Sequence, residues 1–203
     1  MTWKHPTSID PENVAVVALG PTYIEWINHC LRKGSDGLVF DEVWTINRGL
    51  RCFIHDLVFI MDHLEGEEEN DEEYGDAIHK HNRPIITSQK GRFTHANEYP
   101  LDWVMQQTGA ARHYCHNSIP YVLAYALAIG VKRICLFGAD YTYPGAPMRE
   151  DDRANAEYWV GFCEAKGVHV GCPMKSTLLN SNQHGGNTWW YGYRKQPVIK
   201  GFT

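Results

Sequence analysis

The chain has 203 residues, 43% of them hydrophobic and 21% charged, and a formal charge of −5. That length bounds it to one domain, or one with a small appendage. The acidic balance removes the basic footprint of a passive nucleic-acid binder, though a local patch for a nucleic-acid substrate stays open as a minor option. No run approaches the roughly 20 apolar residues of a membrane span, and "MTWKHPTSIDPEN" carries no signal-peptide apolar region. The six cysteines, Cys30, Cys52, Cys115, Cys135, Cys163 and Cys172, form no C-x-x-C pair. They read as reduced thiols of a soluble, cytoplasmic protein.

The first element is Val14–Leu19, a continuous apolar run that predicts a buried parallel strand. It ends at Gly20-Pro21-Thr22. Pro21 suits a first helical position, and Tyr23, Ile24, Trp26, Ile27 and Leu31 follow at helical spacing, with Gly34 as the stop. Glu42–Asn47 and Asp56–Asp62 predict the second and third strands. The acidic run Glu65–Asp76 predicts a solvated loop and helix start rather than a cation site. Arg83–Gln89 is a short fourth strand. Lys90–His116 predicts a loop-rich insertion with a short helix in Pro100–Gly109.

Asn117–Gly130 has the signature of a strong helix: an Asn or Ser cap, an early Pro and a terminal Gly. Val131–Asp140 is a buried strand ending in Gly-Ala-Asp. Arg149–Gly167 is an amphipathic helix, and Val168–Cys172 a last short strand. Residues 176–203 form an aromatic tail expected to pack on or near the site, behind a domain of residues 1–175. Strands alternating with helices predict an α/β fold with a mostly parallel sheet and helices on both faces. Such sheets bind ligands outside the carboxyl ends of their strands.

Polar residues gather just past those ends: Gly20, Pro21 and Thr22; Asn47 and Arg48; Asp62; Ser88; Gly138, Asp140 and Tyr141. Asn117 and Ser118 cap the strong helix nearby. A glycine turn opening a helix suits a phosphate through its first amides, whereas the absence of Gly-Lys-Ser/Thr excludes a P-loop. Asn47 offers a donor and an acceptor. Asp62 and Asp140 offer carboxylates for ribose hydroxyls, a cation or a proton. The eleven histidines show no metal-binding spacing, and His184, in "NQHGGN", is the one best suited to catalysis. Aromatic residues in the tail, Trp189, Trp190, Tyr191 and Tyr193, could stack on a sugar or base.

Taken in order, Gly20-Pro21-Thr22, Asn47 in "VWTINRG", Asp62 and "NSIPYVLAYALAIGVKRICLFGADY" resemble a Rossmann-like transferase group. It contains the bacterial sialyltransferases of glycosyltransferase family 42, which use a cytidine-monophosphate sugar. The same motifs resemble the proteins named for an archaeal hydroxymethylpterin diphosphokinase. The resemblance covers roughly Val14–Cys172. It implies a nucleotide-sugar donor as co-substrate, a hydroxyl acceptor and no essential metal. Gly20, Pro21 and Thr22 would lie at the donor phosphate, Asn47 and Asp62 near phosphate or ribose, and Ser118, Gly138 and Asp140 near ribose and base. The sialyltransferases place a histidine base after the Gly-x-Asp strand; here "YTYPGAPMREDDRANAEYW" contains none. Glu150, Asp151 or His184 would take its place. The alternatives are phosphoryl or pyrophosphoryl transfer with Mg²⁺ held by Asp62 and Asp140, and a nucleotide-binding protein without catalysis. Oligomeric state stays open, a homo-oligomer included.

Overall fold

A computed structural model of the protein describes residues 3–7, 9–33, 37–63, 71–89, 95–141 and 150–179. In chain order the strands are β1 (Asn13–Val17), β2 (Glu42–Ile46), β3 (Leu57–Ile60), β4 (Ile85–Thr87), β5 (Ala96–Glu98), β6 (Arg133–Phe137) and β7 (His169–Gly171). The helices are α1 (Tyr23–Leu31), α2 (Glu72–His79), α3 (Leu101–Thr108), α4 (Ser118–Ile129) and α5 (Glu150–Ala165), with a 3₁₀ turn at Asn47–Arg51. All seven strands are parallel in one sheet of order β5-β4-β3-β2-β1-β6-β7. This is the expected α/β, Rossmann-like architecture.

The apolar runs are continuous because both faces of the sheet are covered. Val14, Val16, Trp44, Leu57, Phe59 and Leu136 pack with Val122 and Leu123 of α4 and Trp159 of α5. On the other face Ala15, Val17 and Phe137 meet Trp26 of α1, while Val58, Ile60 and Ile85 meet Tyr74 and Ile78 of α2. Each large side chain buried this way contributes about 1.5–3 kcal/mol.

Three expectations are corrected. The stretch after Lys90 is not only loop: Ala96–Glu98 adds a seventh strand beside β4. "ANE" has no apolar alternation, so nothing in its pattern announces a strand. The first helix begins at Tyr23 with Thr22 at its cap, which puts Pro21 outside it. It ends at Leu31, and Lys33 takes up the left-handed turn at φ 52°; Gly34 lies outside the described residues. α4 matches its prediction, with Asn117 accepting the Ile119 amide at 3.1 Å and Gly130 left-handed at φ 90°. Asn117→Ala is expected to cost about 1 kcal/mol, read as a lower urea midpoint at unchanged slope.

The amino edge of the sheet is closed by the segment before β1. Glu42 accepts from His5 Nε2 at 3.1 Å, from the Trp44 indole at 2.5 Å and from Thr7. His5 Nδ1 lies 2.8 Å from the Tyr125 hydroxyl, which accepts from the Trp3 indole at 3.0 Å. Burial pushes the Glu42 carboxyl upward, but the bonds from His5, Thr7 and Trp44 outweigh it and hold it below its ordinary value. The acidic stretch resolves as expected where it is described: Asp71 caps α2 by accepting the Tyr74 amide at 3.0 Å.

Candidate active site

β1 lies between β2 and β6, so the chain turns in opposite directions from the carboxyl ends of β1 and β6. That switch point is where open α/β sheets bind ligands. Two polar clusters flank it.

The first cluster ties the end of β1 to the end of β6. Asp140 Oδ2 accepts from the Thr22 amide at 2.7 Å and the Thr22 hydroxyl at 2.8 Å. Thr22 Oγ1 in turn accepts the Gly138 amide at 3.1 Å. The Gly20 amide donates to Gly138 O at 2.8 Å. The amides of Tyr23, Ile24 and Glu25 turn back to Gly20, Pro21 and Thr22 carbonyls. The positive end of α1 therefore already holds an anion, the Asp140 carboxylate. Gly20 serves a close approach between two chain segments: a Cβ there would lie 2.5 Å from Gly138 O.

The second cluster joins β2, β3 and α4. Asn47 sits at φ 46°, in the left-handed region a non-glycine seldom adopts. Its Nδ2 donates to Asp62 Oδ2 at 2.5 Å and to Ser118 Oγ at 3.3 Å. The Asp62 carboxylate fixes the amide orientation, since only the nitrogen can face it. Asn47 Oδ1 is closed off from solvent and has no hydrogen-bond donor among the described residues. Such an unpaired acceptor costs about 1–3 kcal/mol. Gln89 Nε2 reaches Asp62 O at 3.0 Å.

A third group, not expected from the sequence, clamps the end of β6 from behind. Ser176 Oγ donates to Ala139 O at 3.2 Å, Thr177 Oγ1 accepts the Tyr141 amide at 2.8 Å, and the Thr177 amide reaches Asp140 Oδ1 at 3.4 Å. The Tyr141 hydroxyl donates to Asn117 Oδ1 at 3.2 Å. Burial, with Asp152 adding to it, raises the Tyr141 phenol well above its ordinary value, so it acts as a neutral donor. Asn155, fully buried, accepts from Asn117 Nδ2 at 3.2 Å. Both signals are present in the sequence. Ser176 and Thr177 follow the carboxyl end of the last strand, and Asn155 is an amide on the inner side of an amphipathic helix.

The structure thus brings together Gly20, Thr22, Gly138 and Asp140 as one group, Asn47, Asp62 and Ser118 as another, and Asn117 and Tyr141 beside them. Pro21 is exposed on the β1–α1 turn, and Ser88 is exposed just past β4. Arg48 is turned toward α2, paired with Asp71 and lying 5.0 Å from the centre of the Tyr74 ring. Arg51 joins Asp71 at 3.3 Å and Glu73 at 3.0 Å. Glu150 and Asp151 open α5; their side chains, Arg149, His184 and the part of the aromatic tail beyond Leu179 lie outside the described residues. Among the described residues no group of three or more His, Cys, Asp or Glu side chains could hold a metal ion, and no helix is long and apolar enough to cross a membrane.

The fold, as distinct from the site, has counterparts among solved structures. The fold is similar to that of the sialyltransferase CstII from Campylobacter jejuni. Its complex with the substrate analogue CMP-3FNeuAc matches with a TM-score of 0.52 and 17% identity, over 83% of each chain. The complex with cytidine-5′-monophosphate gives 0.53 and 16%, again over 83% of each. The complex with CMP and a trisaccharide acceptor gives 0.52 and 17%, over 83% of this chain and 84% of that one. No protein-family model and no curated protein matches the sequence. The likeness to CstII is one of architecture.

Proposed function

We propose that the chain is a nucleotide-sugar-dependent glycosyltransferase that transfers a sugar to an acceptor hydroxyl, its donor lying across the carboxyl ends of β1, β2 and β6. The observation that carries this reading is Asn47 Oδ1: a buried acceptor without a donor among the described residues, on strained backbone, at the switch point. Phosphate oxygens cannot satisfy an acceptor; a ribose or sugar hydroxyl, or a base amino group, can. Asn47 is therefore assigned to the nucleoside or sugar, with Ser118, Asp62 and Gln89 supporting it. Gly20, Pro21 and Thr22 would wall the crevice beside the phosphate. Gly138, Asp140, Asn117 and Tyr141 would line its nucleoside end. The fold shared with a protein that binds CMP and CMP-3FNeuAc supports the same donor class.

Transfer needs a base for the acceptor hydroxyl and stabilisation of the leaving phosphate. Glu150, Asp151 and His184 are the candidates for the base. The test is a melting-temperature panel of nucleotides and nucleotide sugars, beginning with CMP and CMP-sugars and run with and without EDTA. A specific ligand at 100 times its Kd adds about 2.7 kcal/mol of stability. The expected result is a rise that survives EDTA and needs at least tenfold more ligand in Asn47→Ala, whose own melting temperature stays within a few degrees of wild type. A panel in which no nucleotide raises the melting temperature would sink the proposal. A rise that appears only with Mg²⁺ and is lost in Asp62→Asn would instead assign phosphoryl or pyrophosphoryl transfer, the other chemistry to which the sequence motifs point.

A further inference from the structure

At the opposite edge of the sheet, where β3 and β4 begin, two histidines face each other. His55 Nε2 lies 3.2 Å from His81 Nε2, with ring centres 5.0 Å apart and ring planes 20° from parallel. His55 Nδ1 lies 2.7 Å from Phe53 O. A carbonyl only accepts, so Nδ1 of His55 carries the proton and a neutral His55 presents a lone pair at Nε2. The facing Nε2 of His81 must then be the donor. The assignment runs in one direction: His81 Nε2–H to His55 Nε2, and His55 Nδ1–H to Phe53 O.

We propose that His55 and His81 form a proton-sensitive latch between the chain segments entering β3 and β4, closed by this single bond and opened when His55 takes a proton at Nε2. Two N–H groups would then face each other at hydrogen-bond distance, and the bond could not survive. A proton on His81 Nδ1 alone leaves the bond in place, so His55 is the trigger and His81 the strike plate.

The surroundings resist the charge. His55 is 5% exposed. The groups acting on the pair are Asp56 and Arg83, joined to each other at 3.2 Å, and His95 ahead of β5. Burial lowers the His55 value, with Arg83 adding to it, against the Phe53 bond and Asp56. Burial, then His55, Arg83 and His95, lower His81 to about 4. Both values fall below that of the unfolded chain. The stabilisation is therefore complete above the ordinary histidine value and is lost as pH falls through the range below it. Neither residue lies near the crevice elements, and the latch does not depend on the proposed reaction.

The experiment compares thermal unfolding of wild type and His81→Phe at pH 7.5 and pH 5.0, with a histidine-ring proton titration of the wild type. Phenylalanine keeps the stacked ring and removes the bond. Wild type is expected to lose about 2–4 °C more than the variant between the two pH values, the shift about 1 kcal/mol produces in a chain of this size. In the titration, two ring signals should have midpoints below the ordinary histidine value. Equal losses in the two proteins would overturn the latch. If His81→Phe fails to fold, the wild-type titration decides: ordinary midpoints for every ring overturn the latch, and two depressed ones uphold it.

Discussion

Glu42→Ala is expected to lower the stability of this protein by about 3 kcal/mol or more, since each buried donor left without its acceptor costs about 1–3 kcal/mol. A domain of this kind has only about 5–15 kcal/mol to lose. The carboxylate is 2% exposed and serves three donors at once: His5, Thr7 and the Trp44 indole. Alanine leaves the indole N–H without its acceptor inside the aromatic packing of Trp44 with Phe59 and Tyr125. It also frees His5, and with it the bond that holds the segment before β1 to Tyr125. Glu42→Gln keeps the shape and one acceptor, so it should lose less. Because the folded carboxyl sits below its ordinary value, its contribution is present above that value and is lost as pH falls through the folded one. Urea unfolding at pH 7 and at pH 4 checks both points: the wild-type advantage over Glu42→Gln should shrink at the lower pH.

Gly138→Ala should be nearly as damaging, at on the order of 2–6 kcal/mol. Gly138 stands at φ 69°, and a Cβ there would lie 2.2 Å from Ala18 O, a backbone atom with nowhere to go. Gly130→Ala is the matched control. Gly130 is also left-handed, at φ 90°, but a Cβ there meets nothing within 4 Å. It therefore reports the backbone cost alone, about 1–2 kcal/mol, and the difference between the two variants is the steric part. Gly20→Ala belongs with Gly138, since its Cβ would press on Gly138 O and on Asp140. From the sequence, Gly20→Val is expected to abolish nucleotide binding and spare the fold. The contacts correct this: valine would push apart β1 and β6 themselves, and lost binding would follow from lost structure. Asn47→Ala separates the two.

Much of this was legible in the residues. β1, β2, β3 and β6 show as valine-, isoleucine- and leucine-rich runs because both faces of each are buried. α4 shows through its caps, Asn117 and Gly130. β5 stays hidden because "ANE" is held by β4 and not by burial of its own side chains. At the site, the identity of the edge residues could be read, but not what each one touches. Asp140 reads as a ligand-binding carboxylate and is bonded to Thr22 and Thr177. Arg48 reads as one of the polar residues past the strand ends and is paired with Asp71. Whether a polar side chain at a strand end faces a ligand or a neighbour depends on segments more than a hundred positions away, as between Thr22 and Asp140. Ser176 and Thr177 escaped for a simpler reason: the last strand has a carboxyl end too.

The bond between Thr22 and Asp140 spans 118 positions of sequence. Closing so long a loop carries an entropic cost that only the sheet around it can offset, and contacts this distant slow folding. During synthesis, β1 and α1 emerge first and must wait for β6 before Thr22 meets Asp140, whereas Asn47, Asp62 and Ser118 all precede β6. The half of the sheet from β1 to β5 can pair strand by strand as it appears, leaving the inner edge of β1 bare until residue 133 follows. The side of the crevice between β1 and β6 therefore forms late, and a ribosome-bound fragment stopping short of Asp140 should pair β1 through β5 and lack the tie between Thr22 and Asp140.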